Sequence, residues 1–209
     1  MRQPDLLRAQ RMALRVLADR RIAALPVDPL ALLRQCRRVA VFTRQEAAES
    51  LGMSEAEFDR QYAESEAFTL TEGEGQARRS VVVYGAEGNP ARLRFTLAHE
   101  LGHIVMKHTD IDEPSEKEAN MFASHLLCPR PALLRLAQRF APLTAEQAAA
   151  VFYVSVGCAR SLKMDADDLK QDELWHTVDE LLCPSVERLE KKLWHGPQHV
   201  LTISRTLEA

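Results

Sequence analysis

No uncharged stretch of the sequence is long enough to span a membrane. The longest one, Ala148–Ala159, falls well short of the roughly 20 apolar residues that a transmembrane helix needs. Arginines interrupt the N-terminal region from Arg2 to Arg21, which therefore lacks the uncharged apolar block of a secretory signal peptide. These absences lead us to expect a cytoplasmic protein without a membrane partner.

The sequence also lacks an excess of positive charge and closely spaced cysteines. Its 30 acidic and 27 basic residues give a formal net charge of -3, so no overall basic field would attract nucleic acid or anionic lipid. No two cysteines form a C-x-x-C pair, which argues against a knuckle-type zinc site and a thioredoxin-like motif. We interpret all four as buried or unreactive thiols: Cys36, Cys128, Cys158 and Cys183.

The spacing of apolar residues predicts an α+β fold that is mostly helical and contains a small sheet. A buried strand is expected at Val39–Phe42, and the strongest strand signal lies at Ser80–Tyr84. Helices are expected at Asp5–Ile22, Pro29–Gln35, Arg92–Lys107 and residues 116–127, and along much of residues 132–195. Between Glu46 and Ser80 the chain is acidic and weakly patterned, so we expect an irregular, mobile connection, in which Ser54–Tyr62 can form one or two polar helical turns.

Chain length limits the number of domains. With 209 residues, 46% of them hydrophobic, the chain can form one sizeable core and a smaller attached unit. Pro129 and Pro131 end the helix predicted at residues 116–127. We therefore expect a core at residues 1–130 and a C-terminal helical subdomain at residues 131–209 that packs on it.

The strongest functional signal is the H-E-L-G-H motif at residues 99–103, which lies within a predicted helix. Because His99 and His103 are one helical turn apart, both imidazoles project from the same face and can bind one metal ion, with zinc favoured. Glu100 points in a different direction, which places its carboxylate beside a water molecule that the metal polarises. There it can act as the general base of a peptidase.

A catalytic zinc site needs a third protein ligand. The candidates near the motif are Glu113, Glu116 and Glu118. On the predicted helix at residues 116–127, Glu116 points about 50° from the centre of the apolar face and Glu118 roughly twice as far. If this face packs on the motif helix, Glu116 turns inward, and Glu118 and His125 turn outward. Asn120, one turn beyond Glu116, can then hydrogen-bond a ligand histidine and fix its tautomer.

Other residues near the motif are candidates for contacts with the substrate or the transition state. Tyr84, Arg94 and His108 are each candidate donors to the oxyanion that forms during peptide hydrolysis. The strand at Val81–Val83 has two possible roles. It is either a sheet edge above the zinc that an extended substrate can join, or a buried strand of the core.

Three segments stand out together: R-F-T-L-A-H-E-L-G-H at residues 94–103, E-K-E-A-N-M-F-A at 116–123 and L-L-C-P at 126–129. This combination resembles the ImmA/IrrE family of metallopeptidases, and weaker similarity extends over most of residues 10–165. Cys128 stands where the family often has methionine.

The resemblance implies a zincin-like fold in which the small sheet flanks the motif helix and residues 1–130 form a zinc metallopeptidase core. It implies one Zn²⁺ ion bound in a gluzincin-like site by His99, His103 and Glu116, with Glu100 as the general base. It also implies a protein substrate, such as a repressor of a phage, mobile-element or stress-response system, or an antitoxin.

Two other functions stay open as alternatives. One is a regulatory module that binds a partner protein, contains zinc and cleaves nothing. The other is a DNA-binding regulator, because Ala149–Asp165 has the spacing of a helix-turn-helix unit. However, Tyr153 occupies the turn position where glycine is common, and the second helix is poor in basic and amide side chains. We therefore do not expect direct binding to nucleic acid.

Overall fold

The chain forms a mostly helical α+β fold with one small sheet, as the sequence predicts. A computed structural model describes residues 2–62, 65–73, 75–85, 87–109, 111–139, 143–162 and 171–194, without the side chains of residues 76 and 192–194. The helices are α1 (Leu6–Asp19), α2 (Pro29–Arg34), α3 (Arg44–Leu51), α4 (Glu55–Tyr62), α5 (Pro90–Met106), α6 (Glu113–Leu127), α7 (Arg130–Arg139), α8 (Ala145–Phe152), α9 (Val156–Leu162) and α10 (Glu173–Trp194). The strands are β1 (Val39–Thr43), β2 (Ala67–Glu72) and β3 (Arg79–Tyr84), and a short 3-10 helix lies at Gly75–Ala77.

The three strands form one sheet in the order β1-β3-β2. The central strand, β3, pairs parallel with β1 and antiparallel with β2. Val82, Val83 and Tyr84 of β3 are buried. Of the two roles predicted for Val81–Val83, the sheet edge is therefore wrong and the buried core strand is confirmed. Within the described residues β2 pairs only with β3, so its other side is an open edge.

The prediction of an irregular connection between Glu46 and Ser80 is wrong, because α3 and β2 occupy much of it, whereas the helical turns predicted at Ser54–Tyr62 are confirmed as α4. Capping explains the two short helices. Thr43 and Glu46 form a capping box at the start of α3, and Ser54 and Glu57 exchange the same pair of hydrogen bonds before α4. These local polar signals stabilise helices whose apolar periodicity is weak.

Helices α5 and α6 approach each other closely at Gly102. A Cβ atom built on this glycine would lie 3.1 Å from Cδ1 of Phe122 and 3.2 Å from the Cα atom of Ala119. A residue without a side chain therefore lets the two backbones meet at the middle of the motif. This contact sets the position of the first turns of α6 relative to the histidines of α5.

One hydrophobic cluster extends through most of the fold. It includes Leu14 of α1, Leu101 of α5, Phe122 of α6, Leu136 of α7 and Leu182 of α10. Helices from both sides of the predicted boundary at residue 130 therefore share a core, whereas the division into two domains stays a prediction.

Among the described residues, no helix combines the length and apolar character that a membrane crossing requires.

Candidate metal centre

Helices α5 and α6 bring His99, His103 and Glu116 together, with one potential ligand atom from each within 4.8 Å of the others. The Nε2 atoms of the two histidines are 2.9 Å apart. The carboxylate of Glu116 lies 3.4 Å from Nε2 of His99 and 3.2 Å from Nε2 of His103. Ligand atoms around a tetrahedral zinc ion lie about 3.3 Å apart, so these three side chains fit such an ion.

The surroundings of His103 favour its neutral imidazole, and a hydrogen bond to Asn120 fixes the ring of His99. Burial, together with the neighbouring His99 and His108, lowers the pKa of His103 to about 4. Nδ1 of His99 lies 2.9 Å from Oδ1 of Asn120, which can accept a hydrogen bond from it. Asn120 is therefore where the sequence places it, beside a histidine of the cluster, and it leaves Nε2 of His99 directed at the metal position.

Glu100 lines the same cleft as the cluster without belonging to it. Burial raises the pKa of its carboxyl group. Thr69 and His99 oppose this rise, whereas the charge of Glu116 adds to it. A carboxylate with a raised pKa is a better proton acceptor near neutral pH than an exposed one.

The cleft around the cluster has a volume of about 560 Å³. Residues of β2 line one side of it, and α5 and α6 line the other. Its lining also includes the apolar side chains of Leu70 and Ile111, which are among the exposed large hydrophobic residues of the protein. The open edge of β2 therefore borders a cleft that contains both metal-binding and apolar groups.

Of the three residues predicted to contact the substrate or transition state, only His108 lines the cleft. Tyr84 is buried at the end of β3. Arg94 donates hydrogen bonds to the carbonyls of Val27, at 2.7 Å, and Tyr153, at 3.3 Å. Arg94 is five residues before the first histidine, which turns it about 140° away from that histidine on a helix.

The prediction that Glu118 and His125 point outward is wrong, since both are fully buried. The prediction considered only the packing of α6 on α5, but α6 also packs on α1. Glu118 accepts hydrogen bonds from the backbone N–H of Asp5, at 2.8 Å, and from Arg2, at 3.0 Å. Although burial acts to raise it, these contacts and one with His108 hold the pKa of Glu118 below its ordinary value.

The helix-turn-helix alternative gains no support from α8 and α9. Gly157, Arg160 and Ser161 are the exposed residues of α9. The guanidinium of Arg160 lies 3.7 Å from the carboxylate of Glu146, so the cation among the exposed described residues of α9 has an acidic neighbour. Recognition of DNA relies on several basic contacts to phosphates. The last part of the predicted unit, residues 163–165, lies outside the described residues.

Comparison with known proteins places this site in a family. Residues 48–161, more than half of the chain and the whole metal cluster, match the IrrE N-terminal-like domain of the M78 peptidases. The radiation response metalloprotease IrrE of Deinococcus radiodurans is 27% identical over 85 residues, which cover 34% of this chain and 26% of that protein. The aligned region thus spans about a quarter of that relative. The chain belongs to the IrrE N-terminal-like family of M78 peptidases.

Proposed function

We propose that the protein is a zinc-dependent endopeptidase in which His99, His103 and Glu116 are the metal ligands. The observation that carries this proposal is the position of Glu100, which shares the cleft with the ligand cluster but is not part of it. A zinc ion bound there supplies Lewis-acid activation of a water molecule and of the peptide carbonyl. Glu100 accepts a proton from the attacking water and passes it to the departing amine.

Two features of the surface support cleavage within a polypeptide chain. The open edge of β2 borders the cleft, so an extended peptide can add to the sheet as another strand. A second groove of about 720 Å³ adjoins the cleft, since Phe95 and Asn120 line both of them. A substrate therefore has room to continue past the metal position, as an endopeptidase requires.

We further propose that the substrate is a regulatory protein of the cytoplasm, such as a transcriptional repressor or an antitoxin. The family resemblance supports this choice, as does the name of the Deinococcus relative, which describes a metalloprotease of the radiation response. Cleavage of such a protein would convert a cellular signal into a change in transcription.

The Glu100→Gln variant tests the proposal, because it keeps the shape of the side chain and removes its basicity. We expect bound zinc to be retained and cleavage to fall at least roughly 100-fold, the usual contribution of a general base. The measurement is labelling of new protein N-termini in an extract of the source organism incubated with each variant. Glu113→Gln is the matched control, since Glu113 is exposed at the start of α6 and paired with Lys117 at 2.6 Å.

New N-termini that appear with the wild type and Glu113→Gln, but not with Glu100→Gln, support the proposal. The same new N-termini with Glu100→Gln would contradict the role of this residue. A zinc-loaded wild type that produces none would contradict the peptidase itself and favour the module that binds a partner without cleaving it.

A further inference from the structure

A chain of hydrogen bonds leads from His103 away from the metal position. Nδ1 of His103 lies 3.0 Å from Nδ1 of His108, and Nε2 of His108 lies 2.9 Å from the carboxylate of Glu118. The side chain of His108 is 5% exposed and that of Glu118 is fully buried. Water therefore has little access to these contacts, and each polar atom depends on its protein partner.

The turn after α5 brings His108 beside His103. Lys107 adopts a left-handed conformation, with φ of 60°, and the N–H of His108 then donates to the carbonyl of His103 at 3.0 Å. This turn ends the helix and folds the side chain of His108 back against the last turn.

When Nε2 of His103 binds a metal ion, only one set of proton positions satisfies the whole chain of hydrogen bonds. With Nε2 of His103 directed at the metal cluster, its proton is on Nδ1 and is donated to Nδ1 of His108. His108 must then carry its own proton on Nε2, which donates it to Glu118. Both ring nitrogens of His108 are engaged in this arrangement, so no N–H group of this ring is left for a substrate oxyanion.

Glu118 is itself fixed by the N-terminal segment. Its Oε1 atom accepts from the backbone N–H of Asp5 and from Arg2, while its Oε2 atom faces His108. Arg2 also donates to the hydroxyl of Ser115 at 2.9 Å. The carboxylate is thus held in one orientation by His108 and by Arg2 and Asp5 from the segment that precedes α1.

We propose that His108 and Glu118 are positioning residues that hold His103 in the tautomer and ring orientation needed to bind zinc. They do for His103 what Asn120 does for His99. The inference rests on the proposed function only in that a metal ion occupies the cluster, and it requires no cleavage. It replaces the predicted role of His108 as an oxyanion donor.

The first test compares zinc affinity in two His108 variants. His108→Leu removes both contacts, whereas His108→Gln keeps one acceptor and one donor on a polar side chain. We expect zinc binding, measured by competition with a chromophoric chelator, to weaken roughly 10- to 100-fold in the leucine variant and to recover largely in the glutamine variant. His176→Leu is the matched control, because His176 is an exposed histidine of α10. Equal affinity in all four proteins would overturn the proposal.

The second test uses the unaltered, zinc-loaded protein, so it does not depend on whether a variant folds. Nitrogen NMR of the histidine rings is expected to show the proton on Nδ1 of His103 and on Nε2 of His108. The opposite tautomer of His108 would overturn the proposal. If zinc binding weakens in His108→Leu but the wild type cleaves no protein, the role of His108 and Glu118 is supported and the proposed peptidase function is contradicted.

Discussion

His125 is fully buried and His103 is partly buried at the cleft, and their hydrogen-bond surroundings differ. His103 has histidine neighbours on both ring nitrogens, whereas neither ring nitrogen of His125 has a hydrogen-bond partner among the described residues. Burial, together with the charge of Arg130, lowers the pKa of His125 to about 3. His125 is therefore neutral in the folded protein throughout the physiological pH range.

This depressed pKa predicts that His125 destabilises the protein in acid. Between pH 6.5 and about 3 the unfolded chain binds the proton and the folded one does not, so the free energy of unfolding falls as the pH falls. The free energy of unfolding falls by at most about 1.4 kcal/mol per pH unit, and by less near pH 6.5, where the unfolded histidine is only partly protonated. The loss of free energy of unfolding from pH 7 to pH 5 is therefore up to about 2 kcal/mol. Leucine is similar in size to histidine and does not titrate. We therefore expect the His125→Leu variant to lack this fall in the free energy of unfolding.

Urea unfolding of the metal-free wild type and His125→Leu at pH 7 and pH 5 measures the difference. The use of metal-free protein removes the contribution of zinc, and the other histidines are common to both chains. Identical pH dependence in the two proteins would contradict the assignment.

At the scale of secondary structure, the contact between α5 and α6 determines whether three residues from two helices can share one metal ion. Of the proposed ligands, His99 and His103 come from α5 and Glu116 comes from α6. Gly102 lies between the two histidines, where the backbone of α5 closely approaches that of α6. The same glycine therefore serves helix packing and the geometry of the site.

Gly102→Ala is expected to destabilise the protein and to weaken zinc binding. The added methyl group meets the backbone of Ala119, which cannot move as a flexible side chain would, and overpacking of this kind costs about 1–3 kcal/mol. Gly157→Ala is the matched control, since a Cβ there would lie 3.9 Å from its nearest neighbour. The control should gain up to about 1 kcal/mol from helix propensity. Urea unfolding measures the free energy of unfolding of both variants. A Gly102→Ala variant that is more stable than the wild type would contradict the close contact between the helices.

The sequence predicts the features of the site that depend on one helix, but not those that depend on contacts between distant elements. A motif whose chemistry is local, such as H-E-L-G-H, predicts its helix and its metal-binding face, and the angle of Glu116 on α6 agrees with its place in the cluster. The burial of Glu118 depends on α1, more than 100 residues away in sequence, and no periodicity within α6 contains that information. The position of His108 depends on a left-handed lysine, which is not a residue typical of that conformation.

At the scale of the whole molecule, the site lies between the open edge of the sheet and two helices of the shared core. β2 supplies one wall of the cleft, and α5 and α6 supply the proposed ligands and the proposed general base. α1 packs behind α6, and its preceding residues reach Glu118. The proposed peptidase site thus depends on contacts between parts of the chain that are distant in sequence, which explains why sequence motifs alone could not determine its full set of supporting residues.

Anomalous X-ray scattering at the zinc absorption edge, from crystals grown with zinc, tests the central claim most directly. We predict one peak at bonding distance from Nε2 of His99, Nε2 of His103 and a carboxylate oxygen of Glu116, with Glu100 beside it but not coordinated. No peak at this position, or a peak that Glu116 does not contact, would contradict the assigned metal centre.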